Sequence, residues 1–554
     1  MKQFNCNILF VFISGLFLFN VSSFAQQKEG KIKKEIIPSA EKIIGLEFTD
    51  AERDSMQDAL NDQLGNYENI RKIHLDNNIP PAILFNPIPV EFKFDQKQKP
   101  LKFSDYSYVK MPKNIEEITF YSIGELAQLI KTKKITSTQL TKFYLERLKK
   151  YGPKLHNVVT LTEERALVQA KKMDEEISKG KYRGMLHGIP FGVKDLFSTK
   201  NYKTTWGATP YKDQLIEEDA SVIKKLEDAG AVLCAKLSMG ALARGDVWFG
   251  GMTRNPWDTT KGSSGSSAGV ASSVSAGLLP FGIGTETNGS IVSPATVCGV
   301  SGLRPTFGRV SRDGAMALSW TMDKVGPLCR NAEDLAIVLN AIYGSDGKDQ
   351  TVYNVPFNYQ SKFDFKKFKI GYLKKDFDKK YAFHKNDSLA LKKLEELGAT
   401  LIPIELPNIQ TNDLRIILTA ESAAAFDELT RSNRDDLLEQ QTKRAWSNTF
   451  RSARFIPAVE YINANRIRYI LIQEMAKLME QVDLYISPSW SSNNLLLTNL
   501  SGHPLVVVPN GFSENGTPTS FTFVGKLFDE GKLIAAVKAY QGATDHHKKH
   551  PRLN

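Results

Sequence analysis

The chain is poor in the residues that staple or metallate small exported domains: 554 residues hold only four cysteines and eight histidines. Cys6 lies in a segment that reads as a removable leader, which leaves Cys234, Cys298 and Cys329. An odd number cannot all pair, so no disulfide framework is implied. Long apolar runs are scarce too. The apolar stretch near the start, residues 8–19, is 12 residues long, short of the roughly 20 needed to span a bilayer. The HExxH, Walker and strand-following GxGxxG patterns are all missing, so metal and dinucleotide chemistry lose their usual support and no cofactor is expected. With 38 Gly, 24 Pro, 42% hydrophobic and 24% charged residues, the composition excludes collagen-like, coiled-coil and wholly disordered chains. The net charge of +11 is modest for this length.

The start has the form of a secretory signal. Lys2 supplies the positive region, residues 8–19 the apolar region, and Ser23-Phe24-Ala25 the small residues at −3 and −1 before Gln26. The expectation is an exported protein, periplasmic or secreted, with no membrane anchor once residues 1–25 are removed. Residues 26–114 read as a polar extension with a helix over 51–75 and a Pro-rich stretch over 78–89, expected to pack on a catalytic body at 115–554. Two helix starts open that body. Ser122-x-x-Glu125 is a capping box, and Thr136 caps a second helix whose Leu140, Phe143, Tyr144 and Leu148 share a face; Gly152-Pro153 is expected to end it. Residues 231–235 form an apolar run directly after a helical end, and 504–509 resemble it, so helices and buried strands alternate. That alternation predicts an α/β fold.

Two charged stretches invite functional readings that their context weakens. Residues 362–385 interleave lysines with aromatics, but Asp364, Asp376 and Asp378 interrupt them, so a solvated face is expected rather than nucleic-acid binding. His546, His547 and His550 lie among lysines at a chain end where disorder is expected, and metal ligation is not.

The most unusual segment runs Lys261-Gly-Ser-Ser-Gly-Ser-Ser-Ala-Gly-Val270 and continues through Gly-Thr-Glu-Thr-Asn-Gly-Ser290-Ile291. A Gly/Ser run is ordinarily a flexible linker. Here it lies inside a domain and passes into an apolar, small-residue segment suited to close packing, where glycines let backbone N–H groups approach a ligand. Beside it stand His187-Gly-Ile-Pro-Phe-Gly-Val-Lys194-Asp195 and Cys298-Gly-Val-Ser-Gly-Leu-Arg-Pro-Thr306, with Asn499-Leu-Ser-Gly-His-Pro504 near the C-terminus.

On these motifs the sequence resembles the amidase signature family of serine hydrolases, over about residues 118–541. The resemblance implies a central mixed, twisted β-sheet covered by helices on both faces. It also implies an acyl-serine mechanism with Ser290 as nucleophile, Lys194 as base and a bridging serine whose peptide bond is cis. Two Ser-Ser pairs compete for the bridge. The family's bridge precedes the nucleophile by 24 positions, which selects Ser266 over Ser263. The oxyanion is expected to sit on backbone N–H groups across Thr287, Asn288, Gly289 and Ser290. A buried lysine can lose its charge and accept a proton, so no histidine is required, and His187 and His503 are expected to be structural. Two positions depart from the family: Asn288 stands where glycine is usual, tolerable in a loop needing positive φ, and Val292 replaces an arginine after Ser290-Ile291. The expected activity is hydrolysis of a carboxamide or N-acyl amide, with a small-molecule amide as partner and no nucleic acid; self-association is left open. The alternatives are a non-catalytic binding protein on the same fold and an amidotransferase A-type subunit.

Overall fold

The computed structural model describes residues 31–490 and 493–553, so the expected leader at 1–25 lies outside the described residues. The chain divides into two compact units, Met1–His74 and Leu75–Asn554. In the first, α1 (Ile37–Ile44) precedes α2 (Asp50–Ile70), the helix anticipated over 51–75. Its start is local chemistry: the Thr49 hydroxyl accepts from the Glu52 N–H, and the Glu52 carboxylate accepts from the Thr49 N–H at 2.7 Å. Residues 75–114 belong to the second unit, where the Tyr106 hydroxyl donates to Glu333 at 2.6 Å.

Both expected caps form in the second unit, Ser122 on α3 (Ile123–Lys131) and Thr136 on α4 (Ser137–Leu155). Leu140, Phe143, Tyr144 and Leu148 are buried along one face of α4. The helix runs past Gly152-Pro153, because a proline in the last turn forfeits a single backbone bond; left-handed His156, at φ 50°, ends it instead.

Among the described residues, eleven strands form one mixed sheet. They are β1 (Val158–Leu161), β2 (Pro190–Lys194), β3 (Val232–Leu237), β4 (Phe281–Glu286), β5 (Ser301–Arg304) and β6 (Lys324–Cys329), then β7 (Lys369–Tyr372), β8 (Thr400–Pro403), β9 (Leu484–Pro488), β10 (Leu505–Phe512) and β11 (Pro518–Gly525). Their spatial order is β1-β3-β2-β4-β6-β5-β10-β11-β9-β7-β8. Every residue of β2, β3, β4, β6, β9 and β11 is buried, so the middle of the sheet is covered on both faces, as expected of an α/β layer. Strands β2 and β4 are parallel neighbours, with Val193 opposite Ile283. Their carboxyl ends therefore open at the same edge of the sheet, the usual place for a site in such folds.

The stretches that invited other readings are structural. In residues 362–385 Phe365 and Phe377 are buried, while Lys374 pairs with Asp378 at 2.6 Å and Lys379 with Asp376 at 2.5 Å. The tail expected to be disordered is packed, with the His550 ring stacked on Phe120 at 4.0 Å. Cys234, Cys298 and Cys329 are free and buried.

Candidate active site

Lys194 is the last residue of β2 and is fully buried. Its amine donates to the Ser266 hydroxyl at 2.7 Å and to the Thr285 hydroxyl at 2.9 Å. Burial strips water from the ammonium and lowers its pKa to about 7, against the opposing pull of the Asp323 and Glu286 carboxylates. Near neutral pH a large fraction of this lysine is therefore an amine with a free lone pair, able to accept a proton along the line to Ser266.

Ser266 reaches Lys194 through the Gly/Ser segment. The Gly265–Ser266 peptide is cis, and a Cβ on Gly265 would fall 1.8 Å from the carbonyl oxygen of Gly245, so only glycine fits. Ser267 stitches the segment to β4: its hydroxyl donates to the Thr285 carbonyl at 3.1 Å and accepts the Thr285 N–H at 3.2 Å. The Ser267 N–H donates to the carbonyl of Ser290 at 3.1 Å, which holds Ser290 beside the Ser266 backbone. Ser263, the competing bridge, is turned away, its buried hydroxyl donating to the carbonyl of Ser264 at 2.9 Å.

Ser290 lies between β4 and the helix Val292–Cys298, 9% exposed. The turn that carries it is tied to the Glu286 carboxylate, which accepts from the N–H groups of Ile291 and Val292 at 2.9 and 3.0 Å, from Arg304 at 2.8 Å and from Asn499 at 2.9 Å. Burial would raise this carboxyl's pKa, but Arg304 and the bonded donors outweigh it and hold it below the usual range. The neighbouring Thr287 hydroxyl donates to Asp323 at 2.5 Å, and Asp323 in turn accepts from the N–H groups of Leu318 and Ser319. Among the described residues, none accepts from the backbone N–H groups of Thr287, Asn288, Gly289 or Ser290.

The two departures from the family pattern have different consequences. The positive φ falls on Gly289, at 92°, and not on Asn288, so asparagine carries no backbone strain there; its side-chain oxygen is buried without a protein partner. Val292 is buried in the core. His187 bonds the carbonyl of Met173 at 3.0 Å, and His503 bonds Ser501 at 2.9 Å, with burial and the nearby Arg304 lowering its pKa to about 3. Neither is bonded to Lys194, Ser266 or Ser290. Glu286, Arg304, Asn499 and Asp323 are what sequence reasoning missed. The first three lie within the motif segments, but the convergence of Arg304 and Asn499 on the Glu286 carboxylate joins positions 18 and 213 residues from it.

Adjoining the site is a cavity of about 400 Å³, lined from the sheet edge by Thr285, Thr287, Asp323 and Lys324. Lys194, Ser266 and Ser290 do not line it; the link to them runs through Thr285, whose hydroxyl accepts from Lys194 at 2.9 Å.

A covered mixed α/β sheet with a buried lysine on a serine at its carboxyl edge is the frame of an amidohydrolase. The family model described as Amidase matches residues 139–497, and the chain belongs to that family, whose members hydrolyse C–N bonds. It is 33% identical over 482 residues to the A-type subunit of the glutamyl-tRNA(Gln) amidotransferase of Coxiella burnetii (strain RSA 493 / Nine Mile phase I), covering 78% of this chain and 99% of that protein. Among solved structures it is similar to an amidase family protein from Bacillus anthracis str. Ames, with TM-score 0.72, 28% identity, and 79% and 93% of the two chains covered. It is likewise similar to the native peptide amidase from Stenotrophomonas maltophilia, with TM-score 0.68, 29% identity, and 78% and 98% covered.

Proposed function

We propose that the protein is an exported amidase that hydrolyses a carboxamide or N-acyl amide through an acyl-serine intermediate on Ser290. The observation that carries this reading is the 2.7 Å contact between the buried Lys194 amine and the Ser266 hydroxyl, with Ser290 held alongside. Ser266 gives its proton to the neutral amine and takes the proton of Ser290, whose oxygen attacks the carbonyl carbon. Negative charge on the carbonyl oxygen is met by backbone N–H groups across Thr287, Asn288, Gly289 and Ser290; losing one such donor typically costs on the order of 100-fold in rate. The relay reversed protonates the departing nitrogen as the C–N bond breaks. Water then attacks the ester by the same route and releases the acid.

The choice of bridge has its own test. Ser266→Ala is expected to lose about 100-fold or more in kcat, as general-base relays do, whereas Ser263→Ala keeps most activity. Both are measured as amine release from one amide, and a dead Ser263→Ala enzyme would reverse the assignment.

A second reading is supported by the likeness to the glutamyl-tRNA(Gln) amidotransferase: hydrolysis of the glutamine amide within a larger assembly. Two measurements separate the readings. Mature protein from an exporting host should begin at Gln26 or within a few residues of it; N-terminal sequencing that finds Met1 on soluble cytoplasmic protein favours the amidotransferase. A hydrolysis screen over primary amides, peptide amides, aryl acylamides and glutamine, with Ser290→Ala as control, should give turnover by the isolated chain. Turnover only of glutamine, and only with added partner proteins, would replace the amidase reading.

A further inference from the structure

The cavity beside the site is lined on one side by a piece of chain outside the family-matched residues. Residues 77–85 cross it as a strap fixed at both ends. At one end the Asn77 carboxamide donates to the carbonyls of Ala317 and Ala425 at 3.0 and 3.3 Å and accepts the Ala317 N–H at 2.7 Å. At the other, the Phe85 ring meets Phe307 edge-on at 4.9 Å and lies under the Arg468 guanidinium at 3.4 Å. Beyond Phe85 the chain stays anchored, with Ile88, Phe92 and Phe94 packed on Val355, Leu527 and Phe528. Between the two anchors there is no regular secondary structure. Pro80 and Pro81 fix their own φ and extend the residue before each, so the span is stiff without a ladder. It carries Ile83 and Leu84 to the cavity with 77% and 45% of their surface exposed.

The facing wall is also apolar, with Leu196, Met316, Leu318, Trp320 and Val325. The charged groups in the lining, Lys324 apart, already have ionic or strong hydrogen-bond partners. Arg312 is bidentate on Asp349 and bonds Thr351 at 2.8 Å; Asp313 accepts from Ser221 at 2.8 Å and pairs with Lys348 at 3.0 Å. Asp323 is spent on Thr287, Leu318 and Ser319. Burial, helped by nearby Arg304, holds the Lys324 amine well below the usual lysine range, and it donates weakly to the Asn499 carbonyl at 3.4 Å. An ammonium entering this space would lose its water and, among the described residues, meet no unpaired carboxylate, and a carboxylate would meet only the Lys324 amine, whose charged form burial disfavours; both are costly. Methylene groups would leave water for an apolar wall and gain.

We propose that the strap of residues 77–85 forms the outer wall of the substrate cavity and restricts the enzyme to neutral amides with an apolar group on one side of the scissile bond. The inference rests on the amidase reading above and narrows it: glutamine, which carries both a carboxylate and an ammonium, is a poor substrate. A cavity of about 400 Å³ is in the size range of small-molecule sites.

The test uses the full mature chain and two series, primary amides from acetamide to hexanamide and N-alkyl acetamides of matching length. In wild type, kcat/KM should climb in one series by up to about fourfold per methylene, and the series that climbs says which side of the bond faces the strap. In the double variant Ile83→Asp, Leu84→Asp the ratio of longest to shortest substrate should collapse to within about twofold, through KM. Neither side chain is buried, and thermal melting checks that the variant is folded. The same comparison made by calorimetric binding to Ser290→Ala protein reads the wall without turnover, so failure of the amidase reading is told apart from failure of this one. A length ratio unchanged in the double variant, no length dependence in wild type, or glutamine preferred to hexanamide each overturns the proposal.

Discussion

Lys194→Arg is expected to hydrolyse amides at least about 1,000-fold more slowly than wild type, and raising the pH to 9 should not rescue it, because a guanidinium cannot lose its proton at working pH. In wild type, kcat/KM should rise through a midpoint near pH 7 and level off above it, following the fraction of Lys194 present as the free amine. An ordinary histidine titrates nearby, so the assignment needs the structure: His503 is lowered to about 3 and His187 is bound to the Met173 carbonyl. Lys194→Ala should lack the rise and should slow acylation of Ser290 by a fluorophosphonate. Near-normal turnover by the arginine variant would mean that Lys194 only positions its neighbours and that the base lies elsewhere.

The same shift makes a stability statement whose sign is opposite to that of an ion pair. Unfolded, the lysine titrates near 10.5; folded, near 7. Between those values the unfolded state holds a proton that the native state lacks, so this group's penalty on folding fades as pH rises from 7 to about 10.5 and is at its full size below 7. At pH 7 its ceiling is about 4 kcal/mol. Lys194→Met should therefore melt higher than wild type at pH 7 and lose that advantage at pH 10. The hydroxyls of Ser266 and Thr285, left without their donor, offset part of the gain. This is the usual trade of stability for a reactive group.

What could be read in advance was what depends on neighbours in sequence. Capping boxes at Ser122 and Thr136 act within one turn, and both are found where the pattern placed them. Lys194 and Ser266 were accessible through motif and spacing, and the structure places them in contact. Order in the sheet was not accessible, since β6 enters between β4 and β5 through pairings that no local period encodes. Nor was the place of the Pro-rich stretch, which has no periodicity and whose anchors at Ala317, Ala425 and Phe307 lie more than 200 residues away. Asn288 shows the limit of a single-position argument: a substitution for glycine suggests a left-handed residue, but the turn assigns that role to Gly289. The end of α4 failed for a similar reason, since proline is a strong stop in mid-helix and a mild one in the last turn.

The convergence of Arg304, Asn499 and two backbone N–H groups on Glu286 leads to the largest expected loss of stability. Arg304 and Glu286 are both fully buried, at 2.8 Å. Arg304 also donates to the carbonyl of His503 at 3.0 Å, tying β5 to the start of β10. Arg304→Met leaves Glu286 as a buried carboxylate without its cation, a change that typically costs about 3–5 kcal/mol. The group then has two ways to relax. It can hold its charge at that cost, or take up a proton, in which case its bonds from Ile291 and Val292 weaken and the turn carrying Ser290 loosens. Activity per folded molecule should fall in either case, measured as fluorophosphonate labelling of Ser290 under conditions where the variant is fully folded. Adding Glu286→Gln removes the orphaned charge and keeps an acceptor for the two N–H groups, so the double variant should recover part of the stability of Arg304→Met, in urea unfolding, without recovering wild-type labelling. The pH dependence has a fixed sign. Glu286 is held below its usual pKa, so its contribution is present above about pH 4.3 and lost as pH falls through the lower folded value. Wild type should lose stability over that acid range, and the double variant should lose less. A loss of under about 1 kcal/mol in Arg304→Met would mean that water reaches Glu286 and that the network does not hold the turn.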